Sequence, residues 1–493
     1  MSANLAVILM LAPLGVCSVM AFAADAFDHR RVALSVSILG LSVTAVAGFY
    51  SGVTVSVADI AGVLRTGGHF SALTGVIAAC GALVLLGGWS ILVTRPGGGT
   101  TAGLISLGAA AAAVMAAATD LTTLLLALEI SAVISYALVS ETKTTRSDEA
   151  AMKYFIQGSV ATGFFVMGMA VLVGIFAPSG RFSQLAVAIK GSMLGGPVIV
   201  GISLIAAALA FKAGIAPFHT WAPDAYETTT PHNAAFLAAG PKLGAIAALV
   251  LFASVVEGAQ QTKTLIPLLI GLSIISVAVG SIGALGQKSY RRMLAYAGIA
   301  QAGYALLAVA MLDATSTAFF LATYALASVG VFIAADSFQR ANPEWDGSIT
   351  GLAGMGRRAP SVSASVAVLL VSLAGIPPLL GFWGKFQVFA TAIYGSAAAL
   401  LGAGSREPLL GWLLAIGVAV GLLGSVISLG YYGSVLRVLY MTPAPPSDAA
   451  TEAGQGRLES AWVLVAIAVA VVALGIAPAI WGYSVLVIPF VDR

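Results

Sequence analysis

Residues 203–221 read SLIAAALAFKAGIAPFHTW: an apolar run, a lysine at position 212, then Gly214 and Pro217. An ionisable side chain inside a membrane-length apolar run is costly unless it is paired or wetted. A glycine–proline break frees backbone groups that only surrounding protein or a wet cavity can satisfy. Residues 372–382, SLAGIPPLLGF, repeat the Ala-Gly-Ile-x-Pro core and precede a second lysine, Lys385. A proline kink alone is common in membrane helices. Two copies of the break, each beside an intramembrane lysine, make that bland account weaker.

The rest of the chain fits a bilayer. Of its 493 residues 59% are hydrophobic and 9% charged, with a mean hydropathy of +1.00, against roughly 25% charged residues in soluble domains. A net charge of +3 is too small and dispersed for a nucleic-acid partner. Cys17 and Cys80 both lie in apolar segments without a CxxC pattern, so no iron–sulfur cluster, structural zinc or disulfide framework is expected from them. No two of the four histidines stand at axial-ligand spacing on one apolar helix, so no haem is expected. Residues 4–23 end in AFAADA, like a signal cleavage site, but MSANL lacks the basic n-region, and a retained helix is the expectation.

With roughly 20 apolar residues per crossing, the sequence predicts an all-α polytopic membrane protein of fourteen crossings. They lie near 4–23, 32–53, 71–93, 102–118, 121–140, 154–176, 196–216, 232–254, 264–285, 291–312, 315–336, 361–396, 409–436 and 460–482. The twelfth is read as one long broken helix, since GIPPLLGFWGKF offers no polar loop. The two breaks then fall in helices seven and twelve, which run in opposite directions, as an inverted repeat requires. With both termini outside, the cytoplasmic loops hold 14 Lys and Arg, among them Arg291, Arg292 and Arg340, against 6 outside, among them Arg181. The polar stretches 337–360 and 441–459 read as ordinary connections.

Twenty of the 23 Lys and Arg lie between the apolar segments; Lys212, Lys242 and Lys385 lie inside them. Glu129, in TDLTTLLLALEISAVISYALVS, is the one acid deep in a predicted span and the natural partner of Lys212. Low dielectric disfavours an isolated ammonium, and a nearby carboxylate restores its charge. Closing and opening such a pair is a protonation switch; a static ion pair that fixes packing is the competing account. Lys242 is read as a turn or two inside helix eight and Lys385 as just past the second break, so snorkelling competes for both. Glu149 and Lys153 form an i,i+4 pair, with Lys153 a candidate at the proton intake. His219 beside the first break is a candidate relay. Asp224 and Glu227 read as a solvated loop, and His232 as facing one.

EAAMKYFIQGS (149–159), FKAGIAPFHTWAPDAYE (211–227), AAFLAAGPKLGA (234–245), YRRMLAYAGIAQAGYALL (290–307) and SLAGIPPLLGFWGKF (372–386) occur in this order. Together they resemble the subunit N family of antiporter-like membrane subunits of proton-translocating NADH:quinone oxidoreductase, respiratory complex I. The resemblance spans roughly residues 100–440. It implies fourteen helices with helices 4–8 and 9–13 as inverted repeats, dividing the chain at 1–100, 101–255, 256–440 and 441–493. It also implies a Glu129–Lys212 pair, a connecting lysine at Lys242 and a terminal lysine at Lys385. Some members carry a histidine in helix ten where this chain has Gln301, which cannot titrate, so a proton passing there needs ordered water. By the same resemblance the protein is a multi-pass subunit of the bacterial inner membrane, in contact with lipid and with other membrane and peripheral subunits. NADH, FMN, iron–sulfur clusters and quinone are expected in those partners, since this sequence holds no GxGxxG after a strand. A Mrp-type cation/proton antiporter or a membrane-bound hydrogenase subunit shares the layout, but GPKLGA and RMLAYAGIAQAGY favour subunit N. A non-pumping scaffold would have lost the buried charges.

Overall fold

Helix limits follow local chemistry. Asp120 accepts hydrogen bonds of 2.9 Å from the backbone N–H groups of Thr122 and Thr123 and so starts a helix at Leu121. Ser289 and Asp313 cap two later helices in the same way. Gly214 and Gly375 end the two helices that carry the breaks, with φ of +69° and +88° that only glycine adopts without strain.

The computed structural model describes residues 2–176, 180–190, 195–257, 262–402, 408–443 and 461–476. Its α-helices are α1 Ala3–Ala26, α2 Arg30–Thr54, α3 Gly68–Thr94, α4 Gly98–Ala117, α5 Leu121–Ser140, α6 Thr145–Phe176, α7 Phe182–Lys190, α8 Gly196–Ala213 and α9 Trp221–Thr228. They continue with α10 Pro231–Glu257, α11 Thr262–Leu285, α12 Tyr290–Ala310, α13 Ala314–Ala341, α14 Met355–Arg358, α15 Pro360–Ala374, α16 Leu380–Leu400, α17 Pro408–Met441 and α18 Ala461–Ile476. Twelve of these are long and apolar enough to cross a membrane. The broken pair α15–α16 and the shorter α18 stand where the remaining two predicted crossings were placed. Strands β1 Ala58–Ile60 and β2 Leu64–Thr66 form a small antiparallel hairpin, with Ala58 opposite Thr66, that the all-α reading did not anticipate.

The helix ends sort into two sets. At one end Arg30 donates to the Thr94 carbonyl, Arg95 pairs with Glu141 at 3.5 Å, and Arg291 donates to the Thr229 carbonyl. Arg340 donates to Ser90 at this end too, and the Tyr290 N–H to the Gly347 carbonyl. At the other end Leu64 pairs with Ala118 and Asp120 with Arg181, and Thr391 donates to the Asp313 carboxylate at 3.2 Å. This is the alternation the predicted spans require. α8 runs from the second set to its break and α15 from the first set to its own, so the two broken helices are antiparallel. The segment 337–360 is more than a plain connection: Trp345 is buried there and donates to the Ser348 carbonyl at 2.8 Å. The predicted loop at 441–459 lies largely outside the described residues.

α10, α12 and α13 form the enclosed centre, while α6 and α17 present apolar faces outward. Small residues permit close helix approach where hydrophobic burial cannot drive it. A Cβ on Gly168 of α6 would stand 2.6 Å from the Gly201 carbonyl oxygen of α8. Gly168→Val should therefore force α6 from α8, costing about 1–3 kcal/mol, and lower the thermal midpoint of the detergent-purified protein. Gly163→Val, on the same helix with nothing within 4 Å, should leave that midpoint in place.

Candidate functional site

A helix leaves its last carbonyls without intrahelical partners, and at membrane depth they must find others. At the second break the last two residues of α15 supply such carbonyls. Gln301 of α12 donates through Nε2 to Leu373 O at 3.0 Å. Lys385 of α16 donates through Nζ to Ala374 O at 3.0 Å and to Ser425 Oγ at 3.2 Å. One turn before Gln301, the Gly298 carbonyl accepts from Lys242 Nζ at 2.9 Å. Lys242, Gly298, Gln301, the Leu373 and Ala374 carbonyls and Lys385 thus form one line across α10, α12, α15 and α16. A cavity of about 620 Å³ opens beside Lys385, lined in part by Phe382, Phe386 and Phe389.

Neither lysine snorkels. Lys242 is 2% and Lys385 5% exposed. α10 begins at Pro231, which sets Lys242 eleven residues or about 16 Å along the helix, deeper than the turn or two read from the sequence. The proline at 241 does not start the helix; it lies inside it.

At the first break Lys212 ends α8 and is 2% exposed. Its Nζ donates to Ser135 Oγ of α5 at 3.3 Å, while Glu129, six residues earlier on α5, accepts from Thr162 of α6. The expected ion pair is open: each holds another partner. Trp221 of α9 donates through its indole N–H to the Phe211 carbonyl at 3.0 Å, and the Ala216 N–H donates to Ser276 Oγ of α11 at 3.0 Å. A smaller cavity of about 300 Å³ adjoins this break, lined in part by Gln157, Pro217 and Thr220.

Tyrosines flank the lysines, and the charge count could not show them. Lys212 Nζ stands 5.7 Å from the Tyr154 ring centre, Lys242 Nζ 5.5 Å from Tyr324 and Lys385 Nζ 4.7 Å from Tyr304. A ring face at this range attracts a cation without titrating. Tyr154 stacks on Trp221 at 3.9 Å, and Trp221 meets Tyr226 edge-on at 5.9 Å. Aromatic contacts thus lead from the first lysine toward the second, although Lys212 and Lys242 share no direct hydrogen bond. The signal in the sequence was a polar aromatic in each apolar run: KYF, ATYALA and QAGY.

Three sequence readings near the Arg-rich end change. Asp224 and Glu227 lie on α9 and bind Arg292 at 2.6 and 3.0 Å rather than facing solvent from a loop. Lys153 is half-exposed and joins this network, pairing with Glu149 at 2.7 Å and Asp224 at 3.4 Å. His232 is fully enclosed in α10, with Nδ1 3.4 Å from Asp336 Oδ2. Asp336 is an enclosed acid within the predicted span 315–336 that the sequence reading, which found Glu129 alone, passed over. His219 lies beside the first break as expected, half-buried, its ring 6.4 Å from Tyr296. Among the described residues, no three His, Cys, Asp or Glu side chains gather as a metal site would need.

A family model described as "NADH:quinone oxidoreductase/Mrp antiporter, TM" matches residues 118–411. "NADH-quinone oxidoreductase subunit N 2" of Sorangium cellulosum is 38% identical over 330 residues, covering 64% of this chain and 62% of that one. The match thus spans a little under two thirds of that relative. The Acidobacterium capsulatum protein of the same name is 35% identical over 371 residues, covering 73% and 71%. The chain belongs to this family. A chain of Thermus thermophilus respiratory complex I with bound aureothin superposes with a TM-score of 0.77 at 27% identity, covering 97% of this chain and 98% of that one. The family match encloses Glu129 and all three buried lysines.

Gln301→Leu tests the line directly. It keeps approximate volume but strips Leu373 O of its donor, at a cost of about 1–3 kcal/mol for an unpaired buried group. The thermal midpoint of the purified protein should fall, and Gln301→His, which restores a donor, should recover much of it.

Proposed function

We propose that this chain is a proton-translocating membrane-arm subunit of an NADH:quinone oxidoreductase. Protons move through Glu129, Lys212, Lys242 and Lys385, while partner subunits hold FMN, iron–sulfur clusters and quinone. The observation that carries this reading is the Lys242–Gln301–Lys385 line in a chain of the subunit N family. Lys153 and His219 stand on the intake side, and Gln301 bridges by ordering water. With the pair open, Lys212 lacks a carboxylate in contact and tends to pass its proton on; closure onto Glu129 reloads it. Helices 4–8 (101–255) and 9–13 (256–440) act as the two repeats, with 1–100 and 441–493 flanking them. The basic asymmetry supports a bacterial inner-membrane protein with the Arg-rich end in the cytoplasm and both termini outside. The Mrp-type antiporter reading has no separate observation in its favour.

Lys385→Met keeps side-chain length and removes the proton-accepting group; it leaves Ala374 O without its donor, at about 1–3 kcal/mol, but also removes the cost of burying a charge, so the complex should still assemble. Proton uptake measured with quinone reduction in the same proteoliposomes should fall roughly threefold or more, within what a positioned proton-transfer group contributes. Lys212→Arg should act alike, because guanidinium hardly releases its proton. An unchanged proton-to-electron ratio and rate in both would refute the path.

Orientation is tested with a membrane-impermeant thiol reagent on intact cells. A cysteine at Ser183 should label and one at Arg146 should not; the reverse pattern would invert the topology.

A further inference from the structure

The enclosed His232–Asp336 couple lies outside the path just described. His232 is the second residue of α10. Its Nδ1 is 3.4 Å from Asp336 Oδ2 on α13, and its Nε2 is 3.1 Å from Thr230 Oγ1. His232 is 0% and Asp336 5% exposed. The charged groups around them come from every neighbouring element. Arg340 of α13 donates through Nε to the Asp336 backbone carbonyl at 3.2 Å, and Arg291 of α12 donates to the carbonyl of Thr229, next to the Thr230 that meets His232. Glu141, at the end of α5, accepts from Asn233, the next residue of α10, and pairs with Arg95. From α3, Gly88 faces the His232 ring stem closely enough that a Cβ there would lie 3.3 Å away.

A neutral clamp between α10 and α13 would serve packing as well as this couple does. A titrating couple costs more in low dielectric, which makes such groups functional candidates. Its position adds a direction. Outward, Glu227 is half-exposed on α9, binds Arg292, and lies two residues before Thr229, whose carbonyl accepts from Arg291. Inward, Asp336, Phe332, Ser328 and Tyr324 lie four residues apart on one face of α13. Phe332 interrupts this stripe, but Tyr226 meets it edge-on at 5.6 Å and places its hydroxyl 3.1 Å from the Leu237 carbonyl. That carbonyl lies midway on α10 between His232 and Lys242. Tyr324 ends the stripe at Lys242, 5.5 Å from its Nζ.

We propose that His232 and Asp336 form a second proton-loading couple, which takes protons at the Arg-rich end and feeds Lys242 along the α10–α13 seam without passing through Lys212. The couple rests on the proton-path reading and gives the connecting lysine its own source. The imidazole takes a proton arriving past Glu227 and Asp336; the side-chain hydroxyls of Tyr226, Ser328 and Tyr324, with intervening water, hand one to neutral Lys242. The imidazole returns to its neutral form, and charge is conserved at each transfer.

The test uses the intact complex in proteoliposomes with His232→Gln, Asp336→Asn, Lys212→Ala and Lys242→Met. His232→Gln and Asp336→Asn keep hydrogen-bonding side chains of similar reach but cannot titrate. Each should lower proton uptake per quinone reduced roughly threefold or more. Each should also flatten the pH dependence of that ratio; a merely structural clamp would not move that profile. Lys212→Ala should lower translocation to a residual share, which His232→Gln then abolishes in combination. If both substitutions keep the parental ratio and pH profile while Lys242→Met lowers the ratio, the loading couple is overturned and the path stands. If Lys242→Met is also without effect, the path itself fails. Failure of both couple variants to assemble on a native gel would make His232 and Asp336 a folding element and equally overturn the proposal.

Discussion

An ammonium group and a set of orphan helix-end carbonyls are each costly alone in hydrocarbon, and in this protein they satisfy one another. Lys385 closes on Ala374 O and Gln301 on Leu373 O, so the broken helix tolerates its gap because polar side chains fill it. The rest of the architecture follows from that exchange. The gap must sit inside protein, so α12, which supplies Gln301, has to be central and enclosed. Peripheral helices must then close over it, and without a hydrophobic drive between them in lipid they do so through small residues such as Gly421 of α17 against Phe389 and Gly475 of α18 against the Pro378 carbonyl.

The two breaks meet the same constraint differently. At the second, a lysine fills a carbonyl directly. At the first, the Trp221 indole takes the Phe211 carbonyl and Ser276 receives the Ala216 N–H, leaving Lys212 with only Ser135 and the face of Tyr154. Lys385 is therefore anchored by backbone, which cannot move away, and Lys212 by a hydroxyl, which can. A charge held by a neutral hydroxyl responds to a carboxylate that swings toward it more than one fixed to a carbonyl does. Glu129 lies on the same helix as the hydroxyl that holds the looser lysine, and among the described residues no acid contacts the firmly held one.

Much of this was legible in the order of residue types. Apolar length marked the spans, the Ala-Gly-Ile-x-Pro cores marked the breaks, and lysines in the wrong solvent marked the line. What escaped was whatever depends on a partner distant in sequence. His232 and Asp336 are 104 residues apart, and Asp336 looked like the polar edge of its span until α3 and α10 enclosed it. Asp224 and Glu227 looked solvated because Arg292 is more than sixty residues away. Lys242 was read as shallow, whereas α10 sets it eleven residues from its start and carries Pro241 internally, as membrane helices tolerate when neighbours satisfy the freed carbonyl. Tyr154, Tyr324 and Tyr304 passed as ordinary apolar filling, since a ring that faces an ammonium carries no charge to count.

Gln301 shows why a non-titrating residue suits the centre of the line. A histidine at this position would offer a site where a proton could rest, and with Lys242 and Lys385 charged on either side it would be a third cation in a region of low dielectric. Glutamine keeps the donor that Leu373 O requires and adds no charge whichever lysine is loaded. The backbone on both sides of it is fixed: Gly298 O is committed to Lys242 and Ala374 O to Lys385. The amide cannot pass a proton through its own titration, so any transfer must wait for water beside it. In the proposed path an amide there would hold the two lysines in line without offering a proton a resting site between them.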